Sequence, residues 1–232
     1  MIRRDFSAGL GLLVLAALAP QRAGAQGLAG ISELDASKGL RTALETGALA
    51  AVRLLGRQDG FLGSEKFRIP LPGYLQDGAR LLTLFGQGQQ VQELEVALNR
   101  AAEQAVPMAK NLLVGAVKNM SVQDARNILA GGETSVTTFF EQKTRSPLGT
   151  SFLPVVRRAT SRVQLTEKAD RLAQRAQAFG LVKMEDPSID HYVTRKALDA
   201  LYLVIGEEER KIRRDPVGTG SAILQRVFGA LR

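Results

Sequence analysis

The chain has 232 residues, 45% hydrophobic and 23% charged, with no Cys, no Trp, a single His and a formal net charge of +8. That balance fits one ordinary globular domain with enough apolar residues for a buried core. Without Cys there are no disulfides, thiolate metal sites, iron–sulfur clusters, Cys nucleophiles or lipidated N-terminal Cys, and His191 alone excludes sites built on two imidazoles, most zinc sites among them.

Residues 1–25 read as a signal peptide. Arg3 and Arg4 form a basic start, residues 9–19 form a short apolar run, and Pro20 breaks it. Ala23-Gly24-Ala25 then offers small residues for cleavage between Ala25 and Gln26. Eleven apolar residues are too few for a membrane span, which needs about 20. Arg3-Arg4-Asp5-Phe6 also resembles a twin-arginine signal, so both export routes stay open. The expected location is periplasmic or secreted, with no transmembrane helix after signal removal.

From Gln26 onward the pattern is all-α. Good helix formers dominate and no run of alternating β-branched residues appears. A first helix is expected from Ser32 to Gly56, with Leu40, Leu44, Ala48, Val52 and Leu55 on one stripe. A loop follows over 57–72; its Phe67-Arg68-Ile69-Pro70-Leu71-Pro72 piece should be an extended strap, because a residue before proline avoids helical geometry. A short helix is expected over 74–85, closed by Gly86-Gln87-Gly88. The next, Gln89 to Asn119, carries Val91, Leu94, Leu98, Ala102, Ala105, Ala109, Leu112 and Ala116, and Pro107 should kink or split it.

Ser121 is placed to cap another short helix, with Asp124 as its box partner. Gly131-Gly132 ends that helix. Further helices fit 134–145, 147–162 and 164–179, with Pro154 disturbing the second. The last long helix should run from Ser188 to Arg214, and a 217–221 linker leads to a terminal helix over 222–231. The expected architecture is a single-domain bundle, 26–232, of about eight or nine helices with the strap across it.

Several segments carry a family resemblance. They are Asp59-Gly60-Phe61-Leu62, Arg68-Ile69-Pro70-Leu71-Pro72, Asn99-Arg100-Ala101-Ala102-Glu103, Phe139-Phe140 and Phe152-Leu153-Pro154. Tyr192 to Asp199 and Glu207 to Pro216 complete the series. Together, and in this order, they resemble a family of exported bacterial proteins catalogued as domain of unknown function 4197. The resemblance implies export and a mostly helical fold. It implies no activity and transfers no catalytic residue.

Familiar catalytic patterns fail. No P-loop exists, Gly86-Gln87-Gly88 lacks the third glycine and the strand of a dinucleotide fingerprint, and Gly218-Thr219-Gly220-Ser221 has the wrong order for a nucleophile elbow. His191, beside Asp190 at a helix start, suits a surface or capping role better than a triad. Consecutive side chains on a helix point about 100° apart, so Glu207-Glu208-Glu209 cannot close on one ion. No catalytic residue, metal site or cofactor is expected. Glu207 should pair with Lys211 one turn on.

Glu208 falls within about 20° of Leu201 on the apolar stripe of the last helix. A carboxylate there needs a partner, and Arg68 or Arg100 would supply one, pinning the helix to the strap. The alternative is that the stripe leaves the core before residue 208.

The basic residues over 157–175 suggest anions of the envelope, or simply a solubilising surface; nucleic acid is not expected, since no aromatic platform or recognition motif accompanies them. The leading reading is a non-enzymatic binding module of the cell envelope. Its partner would be an apolar small molecule, an anionic envelope component or a protein. Arg68, Asn99, Arg100, Asp199 and Glu208 are the polar anchors. The alternative is a carboxylate-dependent envelope hydrolase using Glu208 with Glu103 or Asp199, both of which fall opposite the apolar stripes of their helices.

Overall fold

A computed structural model describes residues 33–84, 86, 88–161 and 188–215. Their regular structure is entirely helical. α1 spans Glu33–Gly56, α2 Gly73–Leu84, α3 Gly88–Ala105, α4 Ala109–Lys118, α5 Val122–Ala130, α6 Ser135–Thr160 and α7 Ile189–Arg214. A 3-10 turn, Val106–Met108, joins α3 to α4, so the two form one helix interrupted at Pro107. This is the break expected from a ring that supplies no N–H and collides with the preceding turn.

The expected number of helices is corrected. Among the described residues there are six rods when α3 and α4 count as one, not eight or nine. The helices expected over 164–179 and 222–231, the 217–221 linker and the signal peptide lie outside the described residues. The separate helices expected over 134–145 and 147–162 are one helix, α6, which passes through Pro147 and Pro154. Both prolines are exposed, while Phe140, Thr144, Leu148, Phe152, Val156 and Thr160 form a buried stripe at intervals of four. The prolines therefore weaken only the solvent side of the ladder, where the carbonyls left without a donor are open to water. Burial along the inner face outweighs that loss.

The core follows most of the expected stripes. Leu40, Leu44, Ala48, Val52 and Leu55 of α1 are buried, as are Leu94, Leu98, Ala102 and Ala105 of α3. Beyond the 3-10 turn the pattern changes. α4 buries Ala109, Leu113 and Val117, and leaves Leu112 and Ala116 half-buried. α7 lies against α1, α3 and α6, and its buried arc is broad: Val193, Ala197, Leu201, Tyr202, Val204 and Ile205 are all inside.

Residues 57–72 lie in no α-helix, and the segment 68–72 buries Ile69 and Leu71. The loop opens tightly. Asp59 adopts a left-handed φ of 62°, which aspartate tolerates better than most residues. A Cβ on Gly60 would lie 2.5 Å from the Leu55 carbonyl oxygen, so no larger residue fits. Ser121 caps α5 as expected: its hydroxyl accepts from the Asp124 N–H while the Asp124 carboxylate accepts from the Ser121 N–H. Ser188 caps α7, with the His191 N–H and ring on its hydroxyl.

Candidate functional site

Four of the five polar anchors expected from the sequence sit in contacts that hold elements together. Asn99 is fully buried; its carbonyl accepts from the Ile69 N–H at 2.8 Å and its amide donates to the Ile69 carbonyl at 2.9 Å. One side chain thus satisfies both backbone groups of a residue that has no helix or sheet to do so. Arg100 spans Glu103 at 2.7 Å and Asp59 at 2.8 Å, and these hydrogen bonds raise its pKa above the ordinary arginine value. Arg68 pairs with Glu95 at 2.9 Å.

Asp199, half-exposed, meets Arg145 at 2.8 Å, and Arg145 also holds Glu141 and covers the Tyr202 ring. Burial works against the Arg145 charge, and the bonds to Asp199 and Glu141 outweigh it, so its pKa is raised.

Glu208 requires a correction. Its partner is Lys211 at 3.0 Å, and neither Arg68 nor Arg100 reaches it. The buried carboxylate of the acidic run is Glu209. It accepts from the Val136 N–H at 3.0 Å, the Thr137 N–H at 3.1 Å and the Arg213 guanidinium at 3.0 Å. Thr134 gives α6 no side-chain cap, so a residue of α7 satisfies the first free N–H groups of α6. A single-stripe reading chose Glu208 because it assumed one packing partner. α7 is packed against α1 and α6 at once: Glu208 lies at the α1 edge, where its Cβ would be 3.6 Å from a Cβ on Gly47, and Glu209 at the α6 edge. The pairing expected between Glu207 and Lys211 is also replaced, since Glu207 meets Lys66.

Glu103 is a second correction. It was expected on the surface, and it is buried, accepting from the Phe61 and Leu62 N–H groups at 3.0 and 3.1 Å. The loop brings its own unpaired donors to the outer side of α3, so a position opposite the helix stripe becomes interior. Glu103, Asp199 and Glu208 share no partner. Among the described residues, no three of His, Asp and Glu gather where a metal ion could be held. The expected basic face begins with exposed Arg157 and Arg158 and otherwise lies outside the described residues.

A different place has the size of a ligand site. Between α4 and α6 runs an open groove of about 360 Å³, within the range of small-molecule pockets. Its apolar surface comes from Leu112, Ala116 and Phe139, and its polar rim from Asn111, Asn119 and Lys143. Thr144 forms part of the wall; its hydroxyl donates to the Phe140 carbonyl at 2.7 Å and so accepts from Tyr202 at 2.9 Å. Burial pushes the Tyr202 hydroxyl up to about 12, which keeps it a donor.

Gly115 lies in the groove, inside α4, where glycine costs about 1 kcal/mol relative to alanine. A Cβ there would meet nothing within 4 Å. Packing does not ask for this glycine; its effect is to widen the groove. Sequence reasoning missed these residues because it assigned Leu112 and Ala116 to the core stripe. The available signal was the helix-interior glycine with Asn111 and Asn119 one turn to either side.

The profile of a family described as protein of unknown function (DUF4197) matches residues 30–229. Neither a curated protein nor a solved structure matches the chain.

Proposed function

Since the chain belongs to the DUF4197 family, whose description carries no activity, we propose a function from the molecule's own geometry: an exported, non-enzymatic helical module that binds a small molecule in the groove between α4 and α6. The observation that carries this reading is the groove itself. It joins a volume of about 360 Å³ to an apolar floor and a polar rim, on two helices whose inner faces are buried in the core.

The carboxylates support the non-enzymatic part. Glu103 and Glu209 are each engaged by two backbone N–H groups and an arginine, which leaves them positioned as fasteners between elements. Arg68, Asn99, Arg100 and Asp199 fall in the same class, tying together elements of the fold that presents the groove, while Glu208 pairs with Lys211 of its own helix.

Export is supported by the order of basic, apolar and small residues over 1–25, with cleavage between Ala25 and Gln26, and the mature chain in this reading is a single helical domain, 26–232. Among the described residues no helix is long and apolar enough to cross a membrane. Native mass spectrometry of protein recovered from the periplasm of its source cells, followed by organic extraction, tests the whole reading. The expected result is a chain starting at or near Gln26 with a stoichiometric small molecule bound. A chain retained in the cytoplasm with residues 1–25 intact overturns export. A bare mass from the periplasm, unchanged when extracts of the same cells are added back, overturns the carrier.

A further inference from the structure

The groove has one cation on its rim and no carboxylate among its lining residues. That cation, Lys143, stands 3.8 Å from Asp124, beyond hydrogen-bond distance. The Oδ2 of Asp124 accepts from both the Ser121 N–H and the Ser121 hydroxyl, at 3.0 and 2.7 Å, and its Oδ1 is the oxygen that faces Lys143. Lys143 is thus half-exposed and in a loose ion pair with Asp124, without a hydrogen bond between them, which leaves its three donors for a ligand in the groove.

Asn111 on α4 and Asn119, the residue that ends it, lie eight residues apart, about 12 Å along the helix axis, and bracket the space left by Gly115. The rim between them is polar and neutral, while Leu112, Ala116 and Phe139 are apolar. A ligand that matches this surface has one negative end and one apolar end.

We propose that the α4–α6 groove binds a small amphiphile with a single anionic head group, the head on Lys143 and the apolar portion over Gly115 between Leu112, Ala116 and Phe139. This rests on the groove being the binding site. It adds the ligand's chemical class and gives Lys143 the role of selecting charge.

The test is a calorimetric titration of the signal-free chain, 26–232, with octanoate and, separately, 1-octanol. The wild-type chain should bind octanoate at least tenfold more tightly than octanol, and added salt should narrow the difference. Lys143→Met, an exposed position, should bring the two affinities together by lowering that for octanoate at least tenfold. Gly115→Phe should weaken both ligands at least tenfold by filling the floor. Circular dichroism melting of each variant verifies that it is folded.

Equal affinities in the wild-type chain, or a preference for octanoate that survives Lys143→Met, overturn the anionic class and leave the groove as a site. Absence of binding by either ligand, or binding indifferent to Gly115→Phe, overturns the groove itself.

Discussion

Glu209 and Arg213 fasten the first turn of α6 to the last turns of α7. The Glu209 side chain is 1% exposed, against 25% for Glu208, and this difference decides which of the two neighbours carries stability. Removing Glu209 leaves the Val136 and Thr137 N–H groups and the Arg213 guanidinium without their shared acceptor. Glu209→Ala should cost about 3 kcal/mol or more, and Glu208→Ala no more than about 0.5 kcal/mol, in urea unfolding. Equal losses would refute the assignment.

The cap at Ser121 gives the pH dependence at the same scale. Hydrogen bonds from the Ser121 hydroxyl and N–H, with Lys143 nearby, hold the Asp124 carboxyl below its ordinary value of 3.8. A carboxyl lowered by folding stabilises the native state above its unfolded pKa, and that contribution is lost as pH falls through the folded value. Ser121→Ala should therefore cost about 1 kcal/mol at pH 7. The gap between variant and wild type should shrink below about pH 4. Thermal melts across pH 2–7 measure it, and a constant gap would contradict the account.

At the scale of elements, α4 and the loop before α2 show opposite uses of small and polar residues. Gly115 is a helix-interior glycine with free space above it, so Gly115→Ala should raise stability by up to about 1 kcal/mol through helix propensity alone. A loss of stability instead would mean that packing does require the glycine. Asn99 does the reverse: it stabilises a segment that has no regular hydrogen bonding of its own. Asn99→Ala removes the acceptor of the buried Ile69 N–H, and should cost about 2 kcal/mol and speed proteolysis within 57–72. Unchanged cleavage there would argue against the clamp.

Helix α6 shows why proline position alone misjudges a helix. Pro147 and Pro154 are exposed while the stripe from Phe140 to Thr160 is buried, and tertiary burial outweighs a local penalty that acts on the solvent side.

At the scale of the molecule, α6 and α7 form the centre of the packing, and Phe140 is buried completely within it. Phe140→Ala should cost about 3–5 kcal/mol by leaving a cavity that its neighbours only partly close. A loss below about 1 kcal/mol in chemical denaturation would place Phe140 outside the cooperative core.

The helical class, the α1 and α3 stripes, the break at Pro107, the Ser121 cap and the start of the last helix at Ser188 were all legible in the sequence, because each depends on neighbours within a turn or two. Helix number was legible only in part, since the continuity of α6 depends on which face is covered. The candidate site was largely illegible. Asn99 was singled out without its bond to Ile69, thirty residues away, Glu103 was placed outside, and Gly115 with Lys143 went unremarked. Sequence by itself determined the local periodicities and the caps, whose energies are set by short-range geometry. Only the tertiary structure decided that Glu209 and not Glu208 turns inward, that a loop buries Glu103, and that α4 and α6 leave a groove between them. Those outcomes depend on how many neighbours cover each helix, and a single helix's own pattern does not specify that number.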